Sequence, residues 1–208
     1  MANAVQLTVA VLYDTSFLMN GGRPVVVQVP AGQLDAKKNR DYIIRTVEIT
    51  HILPDEVKRE IQGHFPDAEK VTATRAARKT VAELIALGDA ADEPCRYQEV
   101  ILAAVAAKHS TGDVLGADSR TDRLLIGYAK QLAESDSFDC VCVATEDGGI
   151  MVDVNKLRVQ HGLNLYCISA KDGPNITELV VSIAPEAKRE YRYSLIDLPG
   201  LLWKKLFG

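Results

Sequence analysis

The stretch VAVLYDTSFLMN, residues 9–20, decides the fold. Its first half, from Val9 to Tyr13, is a run of apolar and aromatic residues that predicts a buried β-strand. The run stops abruptly at Asp14, and the polar Thr15 and Ser16 follow it. Because burying a carboxylate without a partner costs free energy, we expect Asp14 either to cap a following helix or to bind a ligand.

Length and composition are those of one large α/β domain or of one domain with insertions: 208 residues, 47% hydrophobic and 25% charged. The formal net charge of −4 argues against a polybasic nucleic-acid coat but is compatible with a local basic rim. We see neither an apolar run long enough to span a membrane nor a basic leader, so we expect a cytoplasmic protein. The four cysteines form no CxxC pair and are expected to be reduced core residues.

Hydrophobic periodicity predicts alternating strands and helices along the chain. The predicted strands are residues 7–13, 42–53, 138–145 and 163–169. The predicted helices follow Pro54 and cover residues 67–87, 96–109, 121–135, 150–162 and part of 175–191. Residues 21–32 suggest a small hairpin or an extended insertion. The alternation predicts a mainly parallel sheet with helices on both faces, which is a three-layer α/β/α fold.

Four acidic residues are placed where such a fold forms ligand sites. Asp14 and Asp147 follow predicted strands, Asp122 opens a predicted helix, and Glu60 lies one turn into another. Ligands bind open parallel sheets at the carboxyl edge of the strands. Each acid also has a structural alternative: a helix cap for Asp14, a capping box with Ser119 for Asp122, a turn for Asp147 and a solvated position for Glu60.

Four segments together resemble the PIN-domain nuclease family. They are VLYDTSFLM, HILPDEVKREI, DSRTDRLLIGYAKQL and VCVATEDGGI, the last followed by VQHGLNLYCIS. They occur in the family's order and cover most of residues 7–169. The resemblance implies a PIN-like nuclease domain over residues 1–170, with insertions around 21–41 and 64–95. Residues 171–208 then form a C-terminal helical extension and an apolar tail.

The resemblance further implies that Asp14, Glu60, Asp122 and Asp147 line one catalytic pocket and bind Mg²⁺ or Mn²⁺. Carboxylate oxygens suit both ions, and two such ions can activate water and stabilise the leaving oxygen of a phosphodiester. The expected supporting residues are Thr15, Ser16, Asp118 and Thr145. The expected nucleic-acid-binding residues are Lys58, Arg59, Arg78, Arg120 and Arg123.

The expected activity is that of a metal-dependent endoribonuclease acting on single-stranded or structured RNA. One alternative is a nuclease-like module that binds RNA or protein with little or no catalysis. Another is a phosphoryl hydrolase with Asp14 as nucleophile, although Ser16 stands where such enzymes carry a second aspartate. The apolar tail, residues 194–208, either packs on the domain or forms an interface with a second copy or a protein partner.

Overall fold

Five parallel strands form the central sheet of the protein, in the order β3-β2-β1-β4-β5. The computed structural model describes residues 3–28, 42–63, 71–89, 95–106, 120–135 and 137–187. The strands are β1 (Asn3–Tyr13), β2 (Tyr42–Pro54), β3 (Cys95–Val100), β4 (Cys140–Ala144) and β5 (Leu165–Ile168). The four strands predicted from periodicity are therefore confirmed, and β3 is a strand that the prediction lacked.

Helices connect the strands and cover both faces of the sheet. They are α1 (Thr15–Met19), α2 (Asp55–Gly63), α3 (Val71–Asp89), α4 (Leu102–Ala106), α5 (Arg120–Glu134), α6 (Gly148–His161) and α7 (Thr177–Ala187). A single 3₁₀ turn, Ala170–Asp172, follows β5. None of the helices in the described ranges is both long and apolar enough to cross a membrane.

Two hydrophobic cores lie on opposite faces of the sheet. The side chains of β1 alternate between them: Val9 and Val11 belong to the core beneath α1, α2, α3 and α7, and Ala10 and Leu12 to the core beneath α4, α5 and α6. Because both faces of the sheet are covered, its strands are apolar runs rather than simple alternations. The predicted three-layer α/β/α architecture is confirmed.

The prediction of a helix over residues 96–109 is wrong for its first half. Residues Cys95–Val100 pair in parallel with β2, and the helix begins only at Leu102. As an edge strand, β3 keeps polar side chains such as Arg96 and Glu99 largely in solvent, and its pattern therefore lacks the apolar character of a central strand. Tyr97 packs against the hydrophobic core, but it does so through tertiary contacts that the local sequence pattern does not predict.

The helix predicted to end at residue 87 continues to Asp89, so Gly88 lies inside α3. A Cβ atom at Gly88 would come within 2.4 Å of the Tyr97 Cβ atom. The glycine therefore allows α3 to approach β3 closely rather than stopping the helix.

Of the insertion interpreted as a small hairpin or an extended segment, the structure describes residues 21–28, which belong to no regular helix or strand. Val26 forms an isolated parallel bridge with Asn175. A hairpin is not formed within residues 21–28 themselves. The predictions for Asp118 and for the apolar tail lie outside the described residues.

Candidate active site at the carboxyl edge of the sheet

The site residues follow from where the chain reverses direction across the sheet. From β1 the chain passes to β2 and β3 on one side, then returns to β4 on the other side of β1. This is a topological switch point, at which open parallel sheets form a crevice beyond the carboxyl ends of their strands. Asp14 follows β1 and Thr145 follows β4, and the Asp14 N–H donates a hydrogen bond of 3.0 Å to the Ala144 carbonyl.

Asp14 is 5% exposed and caps α1, as the structural alternative predicted. Its Oδ2 atom accepts the Ser16 N–H at 3.2 Å, the Thr145 hydroxyl at 2.9 Å and a short hydrogen bond from the Ser16 hydroxyl. Helix capping alone would require only the backbone donor. Two additional hydroxyl donors show that the surroundings are built to hold a carboxylate in this position.

The two hydroxyl groups are oriented by backbone donors. The Glu146 N–H donates to the Ser16 Oγ at 2.8 Å, and the Asp147 N–H donates to the Thr145 Oγ1 at 3.0 Å. With these bonds accepted, each hydroxyl directs its single proton to Asp14 Oδ2. Although the two hydroxyl oxygens are 3.2 Å apart, neither then has a proton for the other. The loop after β4 therefore fixes the direction of both donors.

The second oxygen of Asp14, Oδ1, has a different environment. None of the described residues donates a hydrogen bond to it, whereas three donors converge on Oδ2. A carboxylate held rigidly through one oxygen can present the other to a ligand. The geometry thus leaves Oδ1 as the atom of Asp14 that is suited to bind a cation.

The electrostatics of Asp14 show which other acid is near. Burial raises the pKa of the Asp14 carboxyl, the hydrogen bonds from Ser16 and Thr145 lower it, and the charge of Asp122 raises it. Asp122 stands in the first turn of α5 and is partly exposed. The charge of Asp122 therefore disfavours the ionised form of Asp14, and a bound cation would relieve that repulsion.

Glu60 and Asp147 reach the same edge but are engaged in other contacts. Glu60, exposed on α2, accepts the Thr15 hydroxyl at 2.5 Å, so it is linked to the residue after Asp14. Asp147 is the N-cap of α6, where its Oδ1 atom accepts the N–H groups of Gly149 and Ile150 at 2.7 and 3.0 Å. Asp147 is therefore a helix cap rather than the turn residue of the structural alternative, and its remaining oxygen, Oδ2, is not part of the cap.

Glu146 and Ser169 also lie at the carboxyl edge of the sheet, and the sequence did not indicate their roles. Glu146 Oε1 accepts the Ser169 hydroxyl at 2.6 Å and the Ala170 N–H at 2.5 Å. These bonds join the ends of β4 and β5, and they lower the pKa of the Glu146 carboxyl. Ser169 carries the signal that identified Asp14, namely a polar residue directly after a buried strand, so the same rule applied to β5 would have found it.

The predicted basic residues divide into paired and exposed groups. The Lys58 ammonium is 2.6 Å from Glu99, and the Arg59 guanidinium is 2.5 Å from Asp55. Arg78, Arg120 and Arg123 are exposed. Arg120 and Arg123 flank Asp122 in the first turn of α5, so their charge lies beside the acidic edge. The two arginines of α5 are therefore the best placed of the set to meet an anionic substrate.

A larger cavity, of about 550 Å³, lies toward the amino ends of β3 and β4. Its lining includes Glu48 and Arg96, which form an ion pair of 2.5 Å. Thr8, which also lines it, is six residues before Asp14, or about 20 Å along an extended strand. This cavity is remote from the acids that converge on Asp14. We therefore place the candidate site at the carboxyl edge of the sheet, although the cavity is large.

The carboxylates at the carboxyl edge of the sheet suit a hard divalent cation, but only as a site with two protein ligands. Mg²⁺ is commonly held by one or two carboxylates together with water and substrate phosphate. Asp14 and Asp122 meet this requirement, since both offer carboxylate oxygens and the charge of one acts on the other. Within the described part of the chain, no three acidic, histidine or cysteine side chains form a ready-made metal-binding group. The fit therefore concerns a two-carboxylate site rather than a cage of four.

Known proteins offer no family assignment: no protein-family model matches the chain, and a comparison with curated proteins finds no significant match.

Proposed function

We propose that the protein is a metal-dependent ribonuclease that hydrolyses phosphodiester bonds at the carboxyl edge of its sheet. The observation that carries the proposal is the buried Asp14 carboxylate at the switch point. It is fixed through Oδ2, it is repelled by Asp122, and it has no cationic partner among the described residues. The three hydrogen bonds to Oδ2 carry no full countercharge for the buried carboxylate, and this supports the proposal that a cation binds there.

In this proposal Asp14 and Asp122 hold Mg²⁺ or Mn²⁺, and Asp147 and Glu60 complete the acidic edge. The cation, when bound, supplies charge neutralisation at the phosphate and an activated water. Ser16 and Thr145 keep Asp14 Oδ1 pointed at the site by holding Oδ2. Arg120 and Arg123 attract the phosphate backbone of the substrate to the start of α5.

A specific observation also favours the second candidate, an RNA-binding or protein-interaction module without catalysis. Both Glu60 and Asp147 have a carboxylate oxygen engaged in a structural hydrogen bond. If only Asp14 and Asp122 share a cation at this edge, the module would bind RNA through arginines and one bridging ion. The two candidates differ in whether the bound RNA is cleaved.

The test is incubation of the purified protein with single-stranded RNA in Mg²⁺, in Mn²⁺ or in chelator. The variants are Asp14→Asn and Asp122→Asn, which preserve side-chain shape but remove charge. Asp172→Asn is the matched control, because Asp172 is an exposed acid at the same edge that contacts none of the residues holding Asp14. We expect cleavage only with metal, a loss of roughly 100-fold or more in both site variants, and an unchanged rate in the control.

Cleavage that persists in Asp14→Asn would contradict the assignment of the site. Binding of RNA by the unaltered protein without any cleavage would contradict the nuclease proposal and support the binding module. Covalent phosphorylation of Asp14 by a phosphomonoester would instead identify a phosphoryl hydrolase.

A further inference from the structure

A second concavity lies beside α1 at the same edge of the sheet. It has a volume of about 200 Å³, and its walls come from α1, from the segment at residues 21–28 that follows α1, and from the turn after β5. The residues lining it are Phe17, Gly21, Arg23, Ala170, Gly173 and Pro174. Gly21 and Arg23, both from the inserted segment at residues 21–28, thus form part of a cavity.

Backbone hydrogen bonds hold the walls of this cavity in place. The Val26 N–H donates to the Pro174 carbonyl at 2.7 Å, and the Ile176 N–H donates to the Val26 carbonyl at 3.0 Å. At the other end, the Gly22 N–H donates to the Phe17 carbonyl at 3.0 Å. Because these bonds tie the segment to both α1 and the turn after β5, the cavity is formed before any ligand arrives.

A short chain of hydrogen bonds connects the cavity to Asp14. The Ser16 hydroxyl contacts Asp14 and accepts the Glu146 N–H, and the carboxylate of Glu146 accepts the N–H of Ala170 in the cavity wall. Only Glu146 therefore separates Ser16 from Ala170. The cavity wall is therefore connected through Glu146 to the residues that hold Asp14.

The residues that line the cavity suit a ligand with one flat ring and an anionic group, with the ring inside the cavity and the anion at its opening. Ala170 and Pro174 contribute apolar surface, and Gly21 and Gly173 lack side chains that would narrow the opening. Both glycines have positive φ angles, 80° and 81°, which other residues rarely adopt. Arg23 is exposed and forms no ion pair with the described acids, so its guanidinium is available for a phosphate.

The volume limits what can enter. Pockets for drug-sized molecules measure roughly 300–1,000 Å³, so a cavity of about 200 Å³ suits one ring system rather than a complete nucleotide. A nucleotide would place its base inside and leave its sugar and phosphate outside. The phosphate would then be near Arg23, and the next phosphate along the strand would extend toward Asp14.

We propose that this cavity is a nucleobase subsite, which holds the base of the nucleotide next to the scissile phosphate while Arg23 binds that nucleotide's own phosphate. The inference rests on the proposed nuclease function and names the part of the substrate that the site selects. Arg23 and Ala170 are then residues that determine specificity, and Asp14 remains at the reacting phosphate.

The test measures binding separately from cleavage. The four ribonucleoside 5′-monophosphates are titrated into the full chain in the presence of chelator, and binding is followed by NMR. Ala170→Phe fills the cavity, and Arg23→Ala removes the cation. Arg158→Ala is the charge-matched control, because Arg158 is an exposed arginine of α6 that does not line the cavity. Unchanged circular dichroism and melting temperature confirm that each variant is folded.

We expect at least one monophosphate to bind the unaltered protein and to be weakened about tenfold or more by Ala170→Phe. Arg23→Ala should weaken the monophosphate by about tenfold and leave the corresponding nucleoside unchanged, because a charge-assisted hydrogen bond to phosphate is lost. Arg158→Ala should have no effect. Ala170→Phe should also change which RNA sequences are cleaved, and Asp14→Asn should abolish cleavage but keep monophosphate binding.

Each contrary result is distinct. If RNA is cleaved but no monophosphate binds, or if Ala170→Phe leaves binding and cleavage sequence unchanged, the subsite is wrong and the nuclease proposal stands. If a monophosphate binds in the cavity but RNA is never cleaved, the nuclease proposal and its subsite both fail, and the cavity is a nucleotide site of a binding module.

Discussion

Thr145 is fully buried and uses its hydroxyl twice, as donor to Asp14 and as acceptor from the Asp147 N–H. Thr145→Val keeps the shape of the side chain but removes one of the three donors to Asp14 Oδ2 and leaves the Asp147 N–H without its acceptor. We expect the free energy of unfolding in urea to fall by about 1–3 kcal/mol.

Thr74 provides the matched control for that substitution. It is also buried, but its hydroxyl has no hydrogen-bond partner among the described residues. Thr74→Val should therefore be neutral or stabilising in the same urea experiment. Equal losses in the two variants would show that the Thr145 hydroxyl contributes nothing specific to the site.

His51 gives the protein a predictable response to acid. The Tyr13 hydroxyl accepts the Val25 N–H at 2.9 Å, so its own proton is donated to His51 Nδ1, also at 2.9 Å. The proton of the neutral imidazole is then on Nε2, which is buried and has no partner among the described residues. Burial lowers the pKa of His51 from 6.5 to about 4.

Because this pKa is lower in the folded protein than in the unfolded chain, the unfolded chain binds more protons below pH 6.5. Stability contributed by neutral His51 is complete above pH 6.5 and declines as the pH falls toward 4, by a total on the order of 3 kcal/mol. Urea denaturation across this range should show the slope. His51→Gln should reduce it, whereas His161→Gln, at an exposed position in α6, should leave it unchanged. An identical slope in His51→Gln would assign the acid response to other groups.

Sequence patterns at the residue scale revealed some of these roles. Asp14 was detectable because an apolar strand ended in a carboxylate. His51 was detectable in principle, since it shares the strand parity of Ile49 and Leu53, which face the core. The link from Glu146 to Ala170 was not, because it depends on where β5 ends relative to β4, and no local pattern specifies that distance.

At the level of helices and strands, Gly162 shows how a terminus is specified. It ends α6 with a φ of 65°, whereas Gly63, the last residue of α2, has no positive φ. A Cβ atom would meet no neighbouring atom at either glycine. Gly162→Ala should therefore destabilise the protein by about 1 kcal/mol through backbone strain alone. Gly63→Ala should stabilise it by about 0.5 kcal/mol by reducing the entropy of the unfolded chain.

Thermal or urea unfolding of the two variants measures the difference directly. Both substitutions add one methyl group at a helix end. If Gly162→Ala lowers the free energy of unfolding and Gly63→Ala raises it, the difference is due to the positive φ angle of Gly162. A destabilisation of the same size at both positions would mean that the left-handed conformation is not what Gly162 provides.

The prediction of helices and strands was correct where burial alone determines the hydrophobic pattern, and it was wrong at the edge of the sheet. The strands β1, β4 and β5 and the helix α5 have apolar periodicity that their own sequence displays. The edge strand β3 has charged and polar positions that also suit a helix, and only pairing with β2 makes it a strand. A local window contains no information about that partner.

For the molecule as a whole, a buried acid couples the proposed cation site to global stability. In the absence of metal, burial and the nearby Asp122 raise the pKa of Asp14, so folding disfavours its charged form. Asp14→Asn removes that cost and should raise the melting temperature of the metal-free protein at neutral pH. Adding Mn²⁺ should stabilise the unaltered protein, by about 2.7 kcal/mol at 100 times the dissociation constant, and should not stabilise the variant.

Differential scanning calorimetry of the unaltered protein and of Asp14→Asn, each with and without Mn²⁺, gives the four melting temperatures. Equal stabilisation of both proteins by Mn²⁺ would place the cation elsewhere. A lower metal-free melting temperature for Asp14→Asn would show that the carboxylate, with its three donors, is favourable without a cation.

The layer architecture of the whole molecule followed from the alternation of strands and helices, but the strand order did not. Asp14 and Thr145 meet because β1 and β4 are neighbours, although Thr145 lies 131 residues after Asp14. Only long-range pairing sets that adjacency. For the same reason, the sequence indicated which acids to consider but not that Asp122 would act on Asp14 while Asp147 capped a helix.

The central position of β1 has a consequence for synthesis on the ribosome. Its first neighbour, β2, ends at Pro54, but its second, β4, is complete only at Ala144, about 90 residues later. At about 5–20 residues per second, roughly 5–20 s separate the two. During this interval one edge of the apolar strand β1 has no pairing partner and can pair with other nascent chains. The protein is therefore expected to need chaperone protection, or slow dilution on refolding, until its fourth strand is made.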